Sequence, residues 1–212
     1  MASRETPPPG KGSILIISAP SGSGKSTVVR RLLRSVRGLE FSISYTTRAP
    51  RAREKDGKDY FFVSPARFKR MIEARDFVEW AKVYGNYYGT SRRQILEAQQ
   101  SGRDILLDID VQGHHKVRRS LPDALSVFLL PPSYQELRRR LERRHSDAPE
   151  VIKKRLAAAR AEVRRWREYE YVVVNEDLQQ ATRALRQILA ASHFRRDAQR
   201  EKIQRISKTF GG

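Results

Sequence analysis

The chain has 212 residues, 39% hydrophobic and 32% charged, which favours one folded domain with a substantial core over global disorder. No apolar run approaches the roughly 20 residues that span a bilayer, and the N-terminus lacks a secretory apolar stretch. We therefore expect a cytoplasmic protein with no membrane partner. The absence of cysteine excludes disulfides, thiolate metal sites and cysteine nucleophiles.

Positive charge dominates the chain, with 43 Lys and Arg against 24 Asp and Glu, a net charge of +19. Residues 136–167 hold 12 basic and 5 acidic side chains, and residues 193–212 hold 6 basic and 2 acidic ones. Such a surplus indicates an anionic partner, whether nucleic acid, an anionic membrane or a phosphorylated small molecule. The sign of the charge does not choose among them.

Apolar segments alternate with helical patterns along most of the chain. We predict a disordered lead-in over residues 1–13, then a strand over 14–17, a Gly/Ser-rich turn and a helix over 26–36. Further buried strands are predicted at 105–110, 124–130 and 172–174, and the last precedes a helix over 178–191. Strands that are apolar throughout and alternate with helices predict an α/β fold with a parallel sheet covered on both faces.

Two segments interrupt this alternation. Residues 44–98 are polar and aromatic, and their short apolar runs predict antiparallel strands around one helix, forming an inserted mixed α/β subdomain. Residues 136–157 are an arginine-rich helical stretch with the composition of a mobile lid. The core is then expected to consist of residues 14–43, 99–135 and 158–192, followed by a basic tail over 193–212.

A nucleotide phosphate loop is predicted between the first strand and the first helix. Its glycines would turn backbone N–H groups toward phosphate oxygens, Lys25 would reach the outer phosphates, and the Ser26 hydroxyl would ligate Mg²⁺. A strict phosphate-loop pattern has Gly where this chain has Ala19, so that residue must have a negative φ. The loop residues are Ala19, Pro20, Ser21, Gly22, Ser23, Gly24, Lys25, Ser26 and Thr27.

Asp108 and Asp110 end the strand predicted at 105–110, at the edge of a parallel sheet where ligands bind. One or both are expected to face the nucleotide, with Asp108 a candidate Mg²⁺ ligand. The alternative is that they cap the next helix. His114 and His115 are interpreted as helix-start residues rather than catalysts.

From Ile14 to about Ala191 the chain contains, in this order, the motifs APSGSGKST, SYTTRAPR, DGKDYFFV, EWAKVYGNYYGTS, LLDIDVQG, RRRLERR, KKRL and VVVN. Through these motifs it resembles guanylate kinases, the family that transfers phosphate from ATP to GMP. The resemblance implies a P-loop core, a GMP-binding subdomain and a lid, with ATP as co-substrate. It also implies that dGMP is an acceptor and that the enzyme serves purine metabolism and GMP recycling.

The inserted subdomain has residue types suited to a guanine nucleotide. Arg48 and Arg51 are fork-shaped donors for a phosphate dianion, and the Tyr60 and Tyr88 hydroxyls can add to them. Guanine presents N1–H and N2–H₂ donors, so a site that selects it needs carboxylates. The candidates are Glu79 and Asp110.

Other site residues follow from the resemblance alone. It implies that Ser44 and Thr90 complete the base site, that Asn175 contacts ATP, and that Arg140, Arg144 and Arg155 reach the phosphates from the lid. Small family residues flanking Arg144 are replaced here by Arg143 and His145, which leaves open whether Arg143 or Arg144 faces the phosphates.

Three alternatives remain at this stage. A catalytically silent binding module is disfavoured by the intact Lys25, and a kinase for another acceptor, such as a ribose bisphosphate, by Glu79 and Asp110. An RNA-binding protein is disfavoured because no RNA-binding signature is present. The chain resembles bacterial-type guanylate kinases in its extended tail, and because these are often multimeric, the resemblance implies that the tail contacts another subunit of a homo-oligomer. The alternatives are a solvated tail and a nucleic-acid contact.

Overall fold

The computed structural model describes residues 11–83, 85–143 and 148–211. Its strands are β1 (Ile14–Ser18), β2 (Leu39–Phe41), β3 (Tyr45–Thr46), β4 (Phe61–Phe62), β5 (Phe77–Val83), β6 (Asn86–Ser91), β7 (Asp104–Asp108), β8 (Leu125–Leu130) and β9 (Tyr171–Val174). Its helices are α1 (Lys25–Ser35), α2 (Pro65–Glu73), α3 (Arg92–Gln100), α4 (Val111–Ser120), α5 (Tyr134–Glu142), α6 (Pro149–Val163), α7 (Leu178–Ser192) and α8 (Arg200–Lys208), with a 3₁₀ turn at Arg164–Glu168.

The central sheet has five parallel strands in the order β2-β7-β1-β8-β9, which confirms the predicted α/β class. β1 is buried along its whole length, as its continuous apolar sequence requires between two helical layers. One layer contains α1 and α7, packed through Val28, Leu32 and Leu185. The opposite layer contains α3 and α4, packed through Ile95 and Val117.

The inserted segment forms a second sheet in the order β4-β3-β6-β5. Short antiparallel strands were predicted here, and β5 and β6 confirm this by pairing in antiparallel. β3 was not predicted; it pairs with β6 in antiparallel but with the predicted strand β4 in parallel. The parallel pair arises because a loop of 14 residues, 47–60, separates β3 from β4, and no tight hairpin joins them. Phe68 of α2 stacks on Phe77 and Tyr87 to form the core of this unit.

Two predicted boundaries need correction. The lead-in was predicted to reach residue 13, but Gly12 and Ser13 are already hydrogen-bonded, Ser13 N donating to Asp104 Oδ1 at 2.8 Å; residues 1–10 lie outside the described residues. The inserted subdomain was predicted to reach residue 98, but Ile95 and Ala98 of α3 are buried against the central sheet. Their apolar spacing fits the face of the core, so α3 belongs to that layer.

The segment predicted as a lid, 136–157, falls on α5 and α6, which pack together through Leu137, Leu141, Ile152, Leu156 and Ala159. The core was predicted to resume at residue 158, but α6 continues to Val163 and its Ala159 is buried in this helix pair. The predicted tail forms turns over 193–199 and then α8, in which no residue is buried. In the described part of the chain, no helix has the length and apolar character needed to cross a membrane.

Candidate active site

The phosphate loop leaves the carboxyl end of β1 and opens α1, as predicted. Gly22 and Gly24 have φ values of 93° and 88°, in the left-handed region that residues with a side chain rarely adopt. Arg75 is the one described non-glycine residue with a positive φ. Ala19 therefore has the negative φ predicted for it. The loop therefore has the backbone that inward-facing N–H groups require.

Contacts from α5 and from the residue after β9 hold this loop. Asn175 Nδ2 donates to Ser23 O at 2.7 Å, and Arg140 donates to Ser23 O and Asn175 O, both at 3.0 Å. Glu136 accepts from Arg140 Nε at 2.8 Å, and the Arg139 and Arg140 guanidiniums lower the pKa of Glu136 to about 2. Arg140, predicted to reach phosphates, here connects α5 to the loop.

Lys25 lies in the first turn of α1 and forms an ion pair with Asp108 at the end of β7. The β1–β7 register pairs Ile17 with Asp108, which brings this carboxylate to the loop. Ser26, also in the first turn, is exposed. Among the described residues no group of three or more His, Cys, Asp or Glu side chains could hold a metal. The oxygen donors of Ser26 and Asp108 suit Mg²⁺, which usually keeps waters and substrate phosphates as its other ligands.

The phosphate-binding residues predicted in the inserted subdomain lie around Arg48. Its guanidinium lies 5.5 Å from the Tyr60 ring, and the Tyr60 and Tyr88 rings are 6.0 Å apart. Glu54 accepts from Arg48 at 2.8 Å and from Arg51 N at 2.8 Å. Hydrogen bonding to Glu54 raises the pKa of Arg48, and that to Arg48 lowers the pKa of Glu54. Arg51 lies in the same turn, but its side chain is exposed.

The two carboxylates proposed for the base are close together. Thr90 Oγ1 donates to Glu79 Oε1 at 2.8 Å, and burial raises the pKa of Glu79, with the Asp110 charge adding to the rise. A Cβ on Gly113 would lie 3.1 Å from Asp110 Oδ1 and 3.6 Å from Glu79 Oε2. Asp110 also accepts from Gly113 N at 2.5 Å, so it caps α4 while lying beside Glu79.

The remaining predicted residues are dispersed. Ser44 is half-buried just before β3, Arg155 is half-buried on α6, and Arg144 lies outside the described residues. His114 is buried in α4 and stacked on Tyr169 at a centroid distance of 3.8 Å, and burial lowers its pKa to about 4. It is part of the helix, as predicted.

Sequence reasoning missed three glutamates that organise the site. Glu54 pairs with Arg48, Glu136 orients Arg140, and Glu162 Oε2 accepts from Ser21 N at 3.4 Å. The contact of Glu136 could have been predicted from the sequence, since Glu136 lies four residues before Arg140 on one helix. The contacts of Glu54 and Glu162 could not, because their partners are set by a loop conformation and by the packing of α6.

A parallel sheet whose central strand leads through a glycine-rich loop into a helix defines a P-loop nucleotide-binding protein. Residues 11–192 match the family model described as "Guanylate kinase". The chain is 48% identical over 191 residues to the guanylate kinase of Dechloromonas aromatica, covering 90% of this chain and 95% of that one. It is 45% identical to that of Thiobacillus denitrificans over 206 residues, covering 97% of each.

A solved structure gives the same family. The crystal structure of guanylate kinase from Anaplasma phagocytophilum matches with a TM-score of 0.69 and 37% identity, covering 86% of each chain. The chain belongs to the guanylate kinase family, as its motifs indicated.

Proposed function

We propose that the chain transfers the γ-phosphoryl group of ATP to GMP, giving ADP and GDP, and that dGMP is also an acceptor. The observation that carries the choice of acceptor is the presence of two clusters of side chains. One, in the inserted subdomain, contains an arginine and two tyrosines, and the other pairs Glu79 of that subdomain with Asp110 at the start of α4. The first set suits a phosphate and the second suits the donor edge of guanine. Both deoxy and ribo forms present these groups, and the enzyme would serve purine metabolism and GMP recycling.

ATP is proposed to bind at the phosphate loop, over residues 19–27. The N–H groups of the loop and the amino end of α1 would surround its phosphates, while Lys25 would exchange part of its contact with Asp108 for phosphate oxygens. Asn175 supports this role by bonding Ser23 O, which keeps the loop in its cradle shape.

Mg²⁺ is proposed as the cofactor, held by Ser26 and Asp108 together with phosphate oxygens. When bound, it would neutralise charge on the phosphates. Within the protein, Asp108 also holds Lys25, so the carboxylate fixes the ammonium beside the loop even without the metal.

GMP is proposed to bind between the arginine–tyrosine cluster of the inserted subdomain and the pair formed by Glu79 and Asp110. Arg48, Arg51, Tyr60 and Tyr88 would hold its phosphate, and Glu54 would keep the Arg48 guanidinium aimed until substrate arrives. Glu79 and Asp110 would accept from guanine N1–H and N2–H₂. Ser44 and Thr90 would complete the base pocket, and Thr90 already fixes one Glu79 oxygen.

Transfer then depends on alignment and charge neutralisation, since phosphoryl transfer needs little covalent help. Arg140, Arg144 and Arg155 are proposed to approach the phosphates when the lid closes, and closure would exclude water that would otherwise hydrolyse ATP. The α5 contacts to Ser23 support this, because they already connect the lid to the donor loop. We further propose a cytoplasmic location and a homo-oligomer with no nucleic-acid partner.

The test is a coupled assay of ADP formation by purified protein with Mg²⁺ and ATP, comparing GMP, dGMP, AMP, UMP and no acceptor. We expect ADP release that depends on GMP or dGMP, with little activity toward AMP or UMP. Omission of Mg²⁺ should abolish it. ADP release that does not depend on an acceptor would contradict the proposal and indicate ATP hydrolysis. No ADP release at all would contradict it and favour a silent binding module.

A further inference from the structure

A groove on the outer side of the lid lies between α5 and α6. Its volume is about 570 Å³, within the roughly 300–1,000 Å³ of small-molecule sites. Residues that line it include Tyr134, Arg138, Glu142, Lys153, Leu156 and Arg160. None of them belongs to the proposed ATP or GMP site.

The groove faces away from the phosphate loop. On α5, Leu137 and Leu141 form a buried stripe. Arg140 lies on one flank of this stripe and contacts Ser23 O. Tyr134 and Arg138, four residues apart, lie on the other flank. On α6, Glu162 reaches Ser21 N. Lys153 and Arg160, seven residues apart and so on one helical face, lie on the opposite flank. A ligand in the groove would therefore bind separately from the transferred phosphate.

The charge of the groove is positive and only partly neutralised. Arg138 is paired with Glu142 at 2.7 Å. Within the described part of the chain, Lys153 and Arg160 form no ion pair with any carboxylate. Lys153 and Arg160 are thus available to an anionic ligand. The volume of the groove is one that a single small molecule could fill.

The groove also has a flat aromatic surface. Tyr134 is 39% exposed, and the Arg160 guanidinium lies 4.7 Å from the centre of its ring. A ring and a planar guanidinium in this arrangement form a platform on which a nucleobase can stack. Leu156 and Ile152 provide an apolar floor.

We propose that this groove binds a nucleotide, with its base against Tyr134 and Arg160 and its phosphates near Lys153. The basic tail of this chain is not the occupant, because its charge has the same sign as the groove. An acidic peptide would satisfy the cations but has no need of the ring platform. A bound nucleotide would connect α5 to α6, the two helices that carry Arg140 and Arg155 on their other flank.

The experiment counts ATP molecules bound per chain by equilibrium dialysis while the active site is saturated with a bisubstrate analogue, adenosine and guanosine joined 5′ to 5′ by five phosphates. We expect one further ATP per chain. Tripolyphosphate and adenosine each supply only part of the ATP molecule. Each should bind at least about tenfold more weakly than ATP, since stacking of the base alone contributes a factor of that order to the affinity.

Variants locate the site. Lys153→Ala and Tyr134→Ala should each weaken the further ATP by about fivefold or more, whereas Tyr134→Phe, which keeps the ring, should bind as wild type. Lys154→Ala is the matched control, because Lys154 is the next residue on the same helix and does not line the groove. All of these residues are exposed and outside the proposed catalytic machinery.

No further ATP in the wild type, or a further ATP that Lys153→Ala and Tyr134→Ala leave unchanged, would overturn the proposal. So would binding of a short poly-glutamate peptide where ATP does not bind. Binding of the bisubstrate analogue is measured first. If the analogue does not bind, that result counts against the proposed function, and the wild type and the variants are compared instead by the total ATP bound per chain. Equal totals in the wild type and the variants would overturn the groove site.

Discussion

Lys25 stands at the amino end of α1 with its ammonium held by Asp108. Since the ammonium is proposed to neutralise charge on the transferred phosphoryl group, Lys25→Ala should lower kcat by a factor of about 10² or more. The chain should still fold, because Lys25 is at the surface of the loop and not in the core. Steady-state kinetics with GMP and a circular dichroism melt measure both. A folded variant with unchanged kcat would remove Lys25 from the mechanism.

Glu79 must be ionised to accept two guanine donors, yet burial raises its pKa above the ordinary glutamate value of 4.5. The affinity for GMP should therefore fall as the pH is lowered from neutral toward that value, because protonation replaces one acceptor with a donor. Glu79→Gln should raise KM for GMP by the equivalent of about 1–3 kcal/mol while KM for ATP changes little. The pH dependence of KM for GMP should also flatten. Unchanged GMP kinetics in this variant would contradict the assignment.

At the scale of elements, the end of α7 is joined to the start of β7. His193 Nε2 lies 3.1 Å from Asp104 Oδ2, a side chain that is 2% exposed, and Ser13 N donates to the other oxygen of that carboxylate. Hydrogen bonding to Asp104 raises the pKa of His193 above 6.5, against the opposing effect of burial. This contact stabilises the side of the sheet opposite to the nucleotide loop.

The linkage has a definite sign. Because the pKa of His193 is raised in the folded state, the stabilisation from its contact with Asp104 is fully present below pH 6.5. It is lost as the pH rises through the folded-state pKa of His193. His193→Ala should lower the unfolding free energy at acidic pH by at most about 1.5–3 kcal/mol, the range for hydrogen bonds to charged groups. The difference should shrink at alkaline pH. Urea titrations measure it, with the exposed His115→Ala as control. A loss that does not depend on pH would show that protonation plays no part.

At the scale of the whole molecule, α8 is an amphipathic helix that contributes nothing to the core. Ile203, Ile206 and Phe210 are 46%, 49% and 84% exposed. Because every proposed nucleotide ligand lies upstream, truncation after Ser192 should leave GMP turnover per subunit within about twofold of wild type. Light scattering should give a lower mass if this face joins subunits.

A second truncation, after Gln199, separates the two roles of the tail. It keeps His193, whose carbonyl accepts from Gln199 Nε2 at 2.6 Å, and removes only α8. The chain truncated after Gln199 should therefore keep the unfolding free energy at acidic pH that the chain truncated after Ser192 loses. Loss of GMP binding by either folded truncation would place the tail in the active site.

Much of this molecule follows from its sequence because the signals are local. Continuous apolar runs determined the parallel sheet, glycines next to Lys25 determined the phosphate loop, and the types and order of the motifs determined the family. A buried strand between helices and a left-handed turn each need particular residues within a few positions of one another. Such requirements can be read without knowing what lies elsewhere in space.

The tertiary structure decided what depends on contacts between distant segments. Glu54 and Glu162 became site residues through a loop conformation and through helix packing, and Glu79 met Asp110 only because β5 packs beside α4. It also decided that α3 joins the core and that β3 and β4 are parallel. Ion pairs and strand partners are chosen by three-dimensional proximity, and that proximity is set by the packing of the whole chain.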